Sequence, residues 1–172
     1  MEQIVQLNSN AKLSEHFTLG EFTRSNSHPE IYNIPSHESI ANMKRLCGWL
    51  EVLRKRYNDK YVVVKRDIST TLDMTARVEE PIRINSGYRS PQLNKAIHGV
   101  AGSNHMTGCA ADIRVSGMEQ LIRYAVILMD YADESKQEFD ELLIERNRCG
   151  AIWLHFAVRP SGNRRKVCFI NA

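Results

Sequence analysis

The stretch SNHMTGCAADIRVSGMEQLIRYAVILM, residues 103–129, decides how this chain is built. A glycine turn at Gly108 leads into the small and β-branched run from Ala110 to Val115, which reads as a strand. Ser116 to Glu119 then offers a capping box ahead of Leu121, Ile122, Ala125, Val126 and Met129, whose spacing is that of an amphipathic helix. A strand therefore feeds a helix directly. Period-two alternation places Ala110, Asp112 and Arg114 on one face of the strand and Ala111, Ile113 and Val115 on the other. A carboxylate thus stands on a strand face beside alanine, where it needs a partner.

Working outward, residues 1–15 read as a loose arm, and the domain proper is expected over 16–172. Thr18 to Glu21 forms a capping box ahead of Phe22 and predicts a short helix. Ser36, after Pro35, opens a longer one with Ile40, Met43, Leu46, Leu50 and Leu53 recurring every three or four residues. Tyr61 to Val64 reads as a strand, the polar stretch from Asp67 to Glu80 as an insertion, and Ile82 to Ile84 as a return to strand. Ser90-Pro91 caps a short helix carrying Leu93, Ala96 and Ile97 and stopped at Gly99. Three strands close the chain, Glu141 to Glu145, Ile152 to Val158 and Lys166 to Ile170, with turn chemistry at Arg148 to Gly150 and Pro160 to Gly162. Helices early and strands late argue an α+β fold, a small antiparallel sheet with helices packed on it.

Composition bounds the function. With 172 residues, 25% charged and 42% hydrophobic, the chain is one ordinary globular domain, and disorder, collagen and coiled coil are excluded. A net charge of +3 is too mild for a dedicated nucleic-acid binder. Cys47, Cys109, Cys149 and Cys168 form no CxxC pair and read as reduced thiols. No window approaches the roughly 18 apolar residues of a membrane span, and the first residues lack the basic-then-apolar order of a signal peptide. The chain is expected to be cytoplasmic as synthesised, with monomer as the default state.

The chemistry gathers around a few side chains. Along 152–158, alternation sends Ile152, Leu154, Phe156 and Val158 one way and Trp153, His155 and Ala157 the other. If this strand pairs with 110–115, His105, Asp112 and His155 converge as three ligands with a fourth position open to water, a catalytic zinc arrangement. Such a site needs a carboxylate that is not a ligand to take a proton from water, and Glu145, on the face shared with Glu141 and Leu143, suits that role. Arg89, in the tight loop Asn85 to Arg89, is placed to bind a carboxylate bidentately. His16, His28, His37 and His98 lack such a context and read as ordinary surface or core histidines.

Taken in order, Gly87-Tyr88-Arg89-Ser90, then Ser103-x-His105-x-x-Gly108-x-Ala110-x-Asp112, then Glu145 and Trp153-x-His155 resemble the zinc D-alanyl-D-alanine carboxypeptidase family, which includes phage endolysin peptidases and shares its fold with the hedgehog signalling domain. The likeness runs from about Phe17 to Val158. It implies one zinc ion held by His105, Asp112 and His155, with Glu145 activating water, Arg89 steadying the substrate or the developing oxyanion, and Ser103 standing beside the first ligand. Some members carry the glutamate three residues before the last histidine. Here that position is Ile152, so the role falls to Glu145 on the preceding strand. The implied substrate is a peptidoglycan stem peptide cut at a bond involving a D-amino acid. The missing signal peptide then fits a phage lysin that reaches the wall on release, a prophage remnant, or a bacterial enzyme exported by another route.

Two other classes fit the same residues. Two histidines and a carboxylate also make the facial triad of iron(II) oxygenases, although those commonly hold a His-x-Asp pair on a β-barrel, and six residues separate His105 from Asp112. A non-catalytic zinc-stabilised domain binding cell-wall peptide or a protein partner would need the ligands and not Glu145.

Overall fold

A computed structural model describes residues 8–62 and 79–171. The Thr18–Glu21 box forms as read: the Glu21 carboxylate accepts from both the Thr18 backbone N–H and its hydroxyl, and opens helix α1, Leu19–Thr23. Ser36 caps α2, His37–Tyr61, its Oγ accepting the Ser39 N–H at 3.1 Å. Met43, Leu46, Leu50 and Leu53 are fully buried along one face of α2, and Ile40 packs partly buried at its edge. This helix runs through Tyr61, so the strand expected at Tyr61 to Val64 begins as helix, and its last two residues lie outside the described ones. Helical periodicity over 25 residues outweighs the β propensity of one short run.

Strand β1 is Ile84–Ser86, two residues later than Ile82 suggested, and Ile82 is instead buried ahead of it. Helix α3, Pro91–Ala96, follows the Ser90 cap as read. Strand β2 is Ala110–Arg114 and α4 is Met118–Ser135. The capping box expected from Ser116 to Glu119 does not form. The N-cap is Gly117, and the Ser116 N–H is taken by the side chain of Gln120 at 2.7 Å. Within the expected arm, residues 8–15 are held by bonds such as Leu13 N–H to Phe17 O (3.0 Å) and Ser14 Oγ to Glu51 (2.6 Å), and Leu13 is buried.

Strands β3, Glu141–Arg146, β4, Ile152–Ala157, and β5, Lys166–Asn171, complete a five-stranded sheet in the order β1-β2-β4-β3-β5. All pairs are antiparallel except β3 with β5. The expected antiparallel sheet is therefore mixed, for a geometric reason. The second edge of β4 is already taken by β2, so the chain after β4 must cross the start of β3 and pair on its far side, which makes β5 parallel to β3. Asp140 anchors that crossing: it is fully buried and accepts from the backbone and guanidinium of Arg164 and from Asn104, with Arg159 Nε at 3.1 Å.

One sheet face carries Ala111, Ile113, Leu142, Leu154 and Phe156, which join α2 and α4 in a single core. Trp49 of α2 stands edge-on to Tyr131 of α4 (4.8 Å between centroids) and tilts against Phe156 (5.5 Å), tying both helices to the sheet. The opposite face is left to the polar residues, and the site is built there.

Candidate metal centre

The register of β2 on β4 sets Asp112 directly opposite His155, with Ala110 opposite Ala157 and Arg114 opposite Trp153. The two alanines leave room on one side of the pair. His105 arrives from a one-turn 3-10 helix, Asn104–Thr107, capped by the Ser103 hydroxyl, which accepts the His105 N–H at 3.3 Å. Gly108 closes this turn at φ +73, and a Cβ there would lie 2.5 Å from the Ser39 carbonyl in the first turn of α2. Only glycine allows both that backbone angle and that approach.

Three buried donor atoms meet. His105 Nε2 lies 3.3 Å from His155 Nδ1 and 3.3 Å from Asp112 Oδ1, and the latter two are 2.9 Å apart. Ligand atoms about 2.0–2.1 Å from a tetrahedral zinc are separated by roughly 3.3 Å, so this triangle has the size of one face of the tetrahedron. The tautomer agrees. His105 Nδ1 is 2.6 Å from the Gly87 carbonyl, which can only accept, so Nδ1 carries the proton and Nε2 presents a lone pair to the other two. The Asp112 oxygen turned away from the triangle, Oδ2, accepts from Arg89 Nη2 at 2.6 Å, while Arg89 Nε donates to Ser86 at 2.9 Å.

The local field favours a cation. Burial alone would raise the Asp112 carboxyl, but His105 and His155 outweigh it and hold it well below the usual carboxylate range. Burial alone would lower His155, yet its bond to Asp112 and the nearby carboxylates of Glu141 and Glu145 push it up to about 9. Surroundings that draw a proton onto a buried imidazole also draw a divalent ion onto its lone pair. The donor set, the fixed tautomer and the anionic surroundings all fit zinc.

Leu143 of β3 is opposite His155, so Glu141 and Glu145 flank the ligand diagonally along the same face. They are not equivalent. Glu141 Oε2 lies 3.5 Å from His155 Nε2, and its neighbours, the His155 imidazole first and then Asn104 and Arg164, keep its carboxyl at about 2. Glu145 is half-buried opposite Trp153, and burial raises its carboxyl above the usual range. Sequence reading singled out Glu145 and passed over Glu141, although strand alternation puts both on this face. Asn104, Asp140 and Arg164, which frame Glu141, carried no sequence signal. The four remaining histidines form no part of the triangle, and among the described residues no other group of three metal-ligating side chains gathers.

A buried His-Asp-His triangle on the polar face of an α+β sheet defines the class, a domain with a group of side chains that could hold one metal ion. The family model described as Peptidase M15 matches residues 64–129, and it bears out the resemblance to the zinc D-alanyl-D-alanine carboxypeptidase and endolysin peptidase family. The matched segment carries Arg89, His105 and Asp112 and stops before β3 and β4. The family supports a zinc peptidase acting on peptidoglycan peptides. No curated protein matches the chain. No described helix is long and apolar enough to cross a membrane.

Proposed function

We propose that the protein is a zinc peptidase that hydrolyses bonds involving D-amino acids in peptidoglycan stem peptides, with His105, Asp112 and His155 as ligands of one ion and Glu145 as the general base. The observation that carries the reading is the donor triangle with a half-buried carboxylate one diagonal step away on β3. Zinc bound there supplies Lewis-acid polarisation of the scissile carbonyl and lowers the pKa of a water to about 7. Glu145 accepts the proton of the attacking water and returns it to the leaving amine. A raised carboxyl suits that exchange, whereas both oxygens of Glu141 are already engaged, Oε1 by Arg164 and Oε2 by Asn104.

Arg89 orients Asp112 through Oδ2 and is itself held by Ser86, and the N–H groups left over on its guanidinium are assigned to a substrate carboxylate or developing oxyanion. Ser103 holds the turn that presents His105 and borders the substrate. The test is metal content beside hydrolysis. Wild type should retain one zinc per chain and His155→Ala should lose it. Glu145→Gln should keep zinc and lose about 10²–10⁴-fold in rate on D-amino-acid stem fragments. Mass analysis of the products separates loss of a terminal residue from an internal cut. Full activity in Glu145→Gln would refute the base. Zinc-loaded wild type that binds fragments without cleaving them would replace hydrolysis by a binding role.

A further inference from the structure

His155 uses Nδ1 in the donor triangle, which leaves Nε2 to be accounted for. That atom is buried and has no hydrogen-bond partner among the described residues, and Glu141 Oε2 stands 3.5 Å from it. Glu141 is unusually well fixed for a strand carboxylate. Oε1 meets Arg164 Nη2 at 2.8 Å, and Oε2 accepts from Asn104 Nδ2 at 2.9 Å. Arg159 Nε in turn donates to Asn104 Oδ1 at 2.9 Å, which sets the amide so that its NH2 faces the carboxylates. Asn104 also donates to Asp140, and Arg164 is gripped by Asp140 through two nitrogens. The crossing loop after β4, the start of β3 and the turn carrying His105 therefore converge on one carboxylate beside the second histidine.

We propose that Glu141 is a positioning residue of the metal centre, its carboxylate accepting the Nε2 proton of His155 so that Nδ1 is kept as the ligand atom. Gly87 does the same for His105 from the other side, with a carbonyl on Nδ1 leaving Nε2 free. Opposite nitrogens of the two imidazoles thus serve the ion because opposite nitrogens are held by the protein. Asn104 and Arg164 act through Glu141. The inference rests on the zinc-site reading and separates the two β3 glutamates by role, Glu145 moving a proton and Glu141 holding a ligand.

The first experiment is nitrogen-15 NMR of the zinc-loaded wild type with labelled histidine. His155 should carry its proton on Nε2 and bind through Nδ1; a proton on Nδ1 with Nε2 bound to zinc overturns the proposal. Zinc affinity by chelator competition should fall about 10–100-fold in Glu141→Ala, and Glu141→Gln, which keeps an acceptor oxygen, should recover part of it. The visible spectrum of the cobalt-substituted protein should shift in Glu141→Ala. An Ala variant within about threefold of wild-type affinity and with an unchanged cobalt spectrum refutes the role. Wild type that takes up no zinc brings down the metal-site reading together with this inference, whereas zinc uptake with Nε2 ligation brings down this inference alone.

Discussion

Gly87→Ala tests how closely the fold and the metal centre are joined. Gly87 sits between α1 and the site: an added Cβ would lie 2.7 Å from the Cα and carbonyl oxygen of Phe22, a fully buried residue, and the Gly87 carbonyl accepts the Nδ1 proton of His105 at 2.6 Å. Backbone on backbone cannot swing aside as a side-chain tip can, so either α1 or the loop must move. Overpacking of this kind costs about 1–3 kcal/mol, and weakening the buried hydrogen bond adds roughly 1 kcal/mol. The sum, about 2–4 kcal/mol, corresponds to a fall in Tm of roughly 5–15 °C for a domain of this size. Moving the carbonyl also frees the His105 ring, so zinc affinity should drop about 10–100-fold. Urea unfolding of the metal-free protein reads the first effect and chelator competition the second. Gly48→Ala is the control: it lies in α2, where a Cβ meets nothing within 4 Å, and should stabilise by about 0.5–1 kcal/mol. A Gly87→Ala protein within about 0.5 kcal/mol of wild type and with unchanged zinc affinity would refute the reasoning.

Gly108→Ala combines a left-handed φ of +73 with a Cβ 2.5 Å from Ser39 O and should destabilise by about 2–4 kcal/mol in urea unfolding. Phe156→Ala, removing a fully buried ring from the centre of the helix–sheet core, should cost about 3–5 kcal/mol by the same measurement, with the secondary structure retained by circular dichroism. Asp140→Asn should cost about 2 kcal/mol near neutral pH, because charged hydrogen bonds at the β4–β5 crossing are weakened. Burial alone would raise Asp140, but bonds from Arg164 and Asn104 outweigh it, so its folded pKa lies below the unfolded value. Its contribution is then fully present above the unfolded value of about 3.9 and is lost as pH falls through the lower folded one. The stability gap between wild type and Asp140→Asn should be flat above about pH 5 and close in acid, and a gap that persists there would contradict the assignment.

Much of the site was legible along the chain because strand alternation is a local rule. Reading Asp112 with Ala110, and His155 with Ala157, already put the ligands on faces lined by alanine, and the structure pairs those residues one for one. The α+β class was legible for a similar reason, since α2, α3, β2 and the last three strands each carry their own periodicity or cap. What escaped depends on distant partners. The parallel placement of β5 follows from β2 occupying the edge of β4, which no residue of β5 announces. Gly117 rather than Ser116 caps α4 because the side chain of Gln120 takes the Ser116 N–H.

Residue types and spacing determined by themselves that this chain is an α+β domain, and they singled out His105, Asp112 and His155 as the candidate ligand set, which the fold brings within reach of one another. Only the tertiary structure decided which nitrogen of each imidazole faces the triangle, that Arg89 grips Asp112, and that Glu141 rather than Glu145 stands against His155. The physical reason is one of range. Periodicity and capping are written in neighbours a few residues apart, while tautomers and carboxylate roles are set by a carbonyl, a guanidinium and an amide brought from 18 to 37 positions away in sequence.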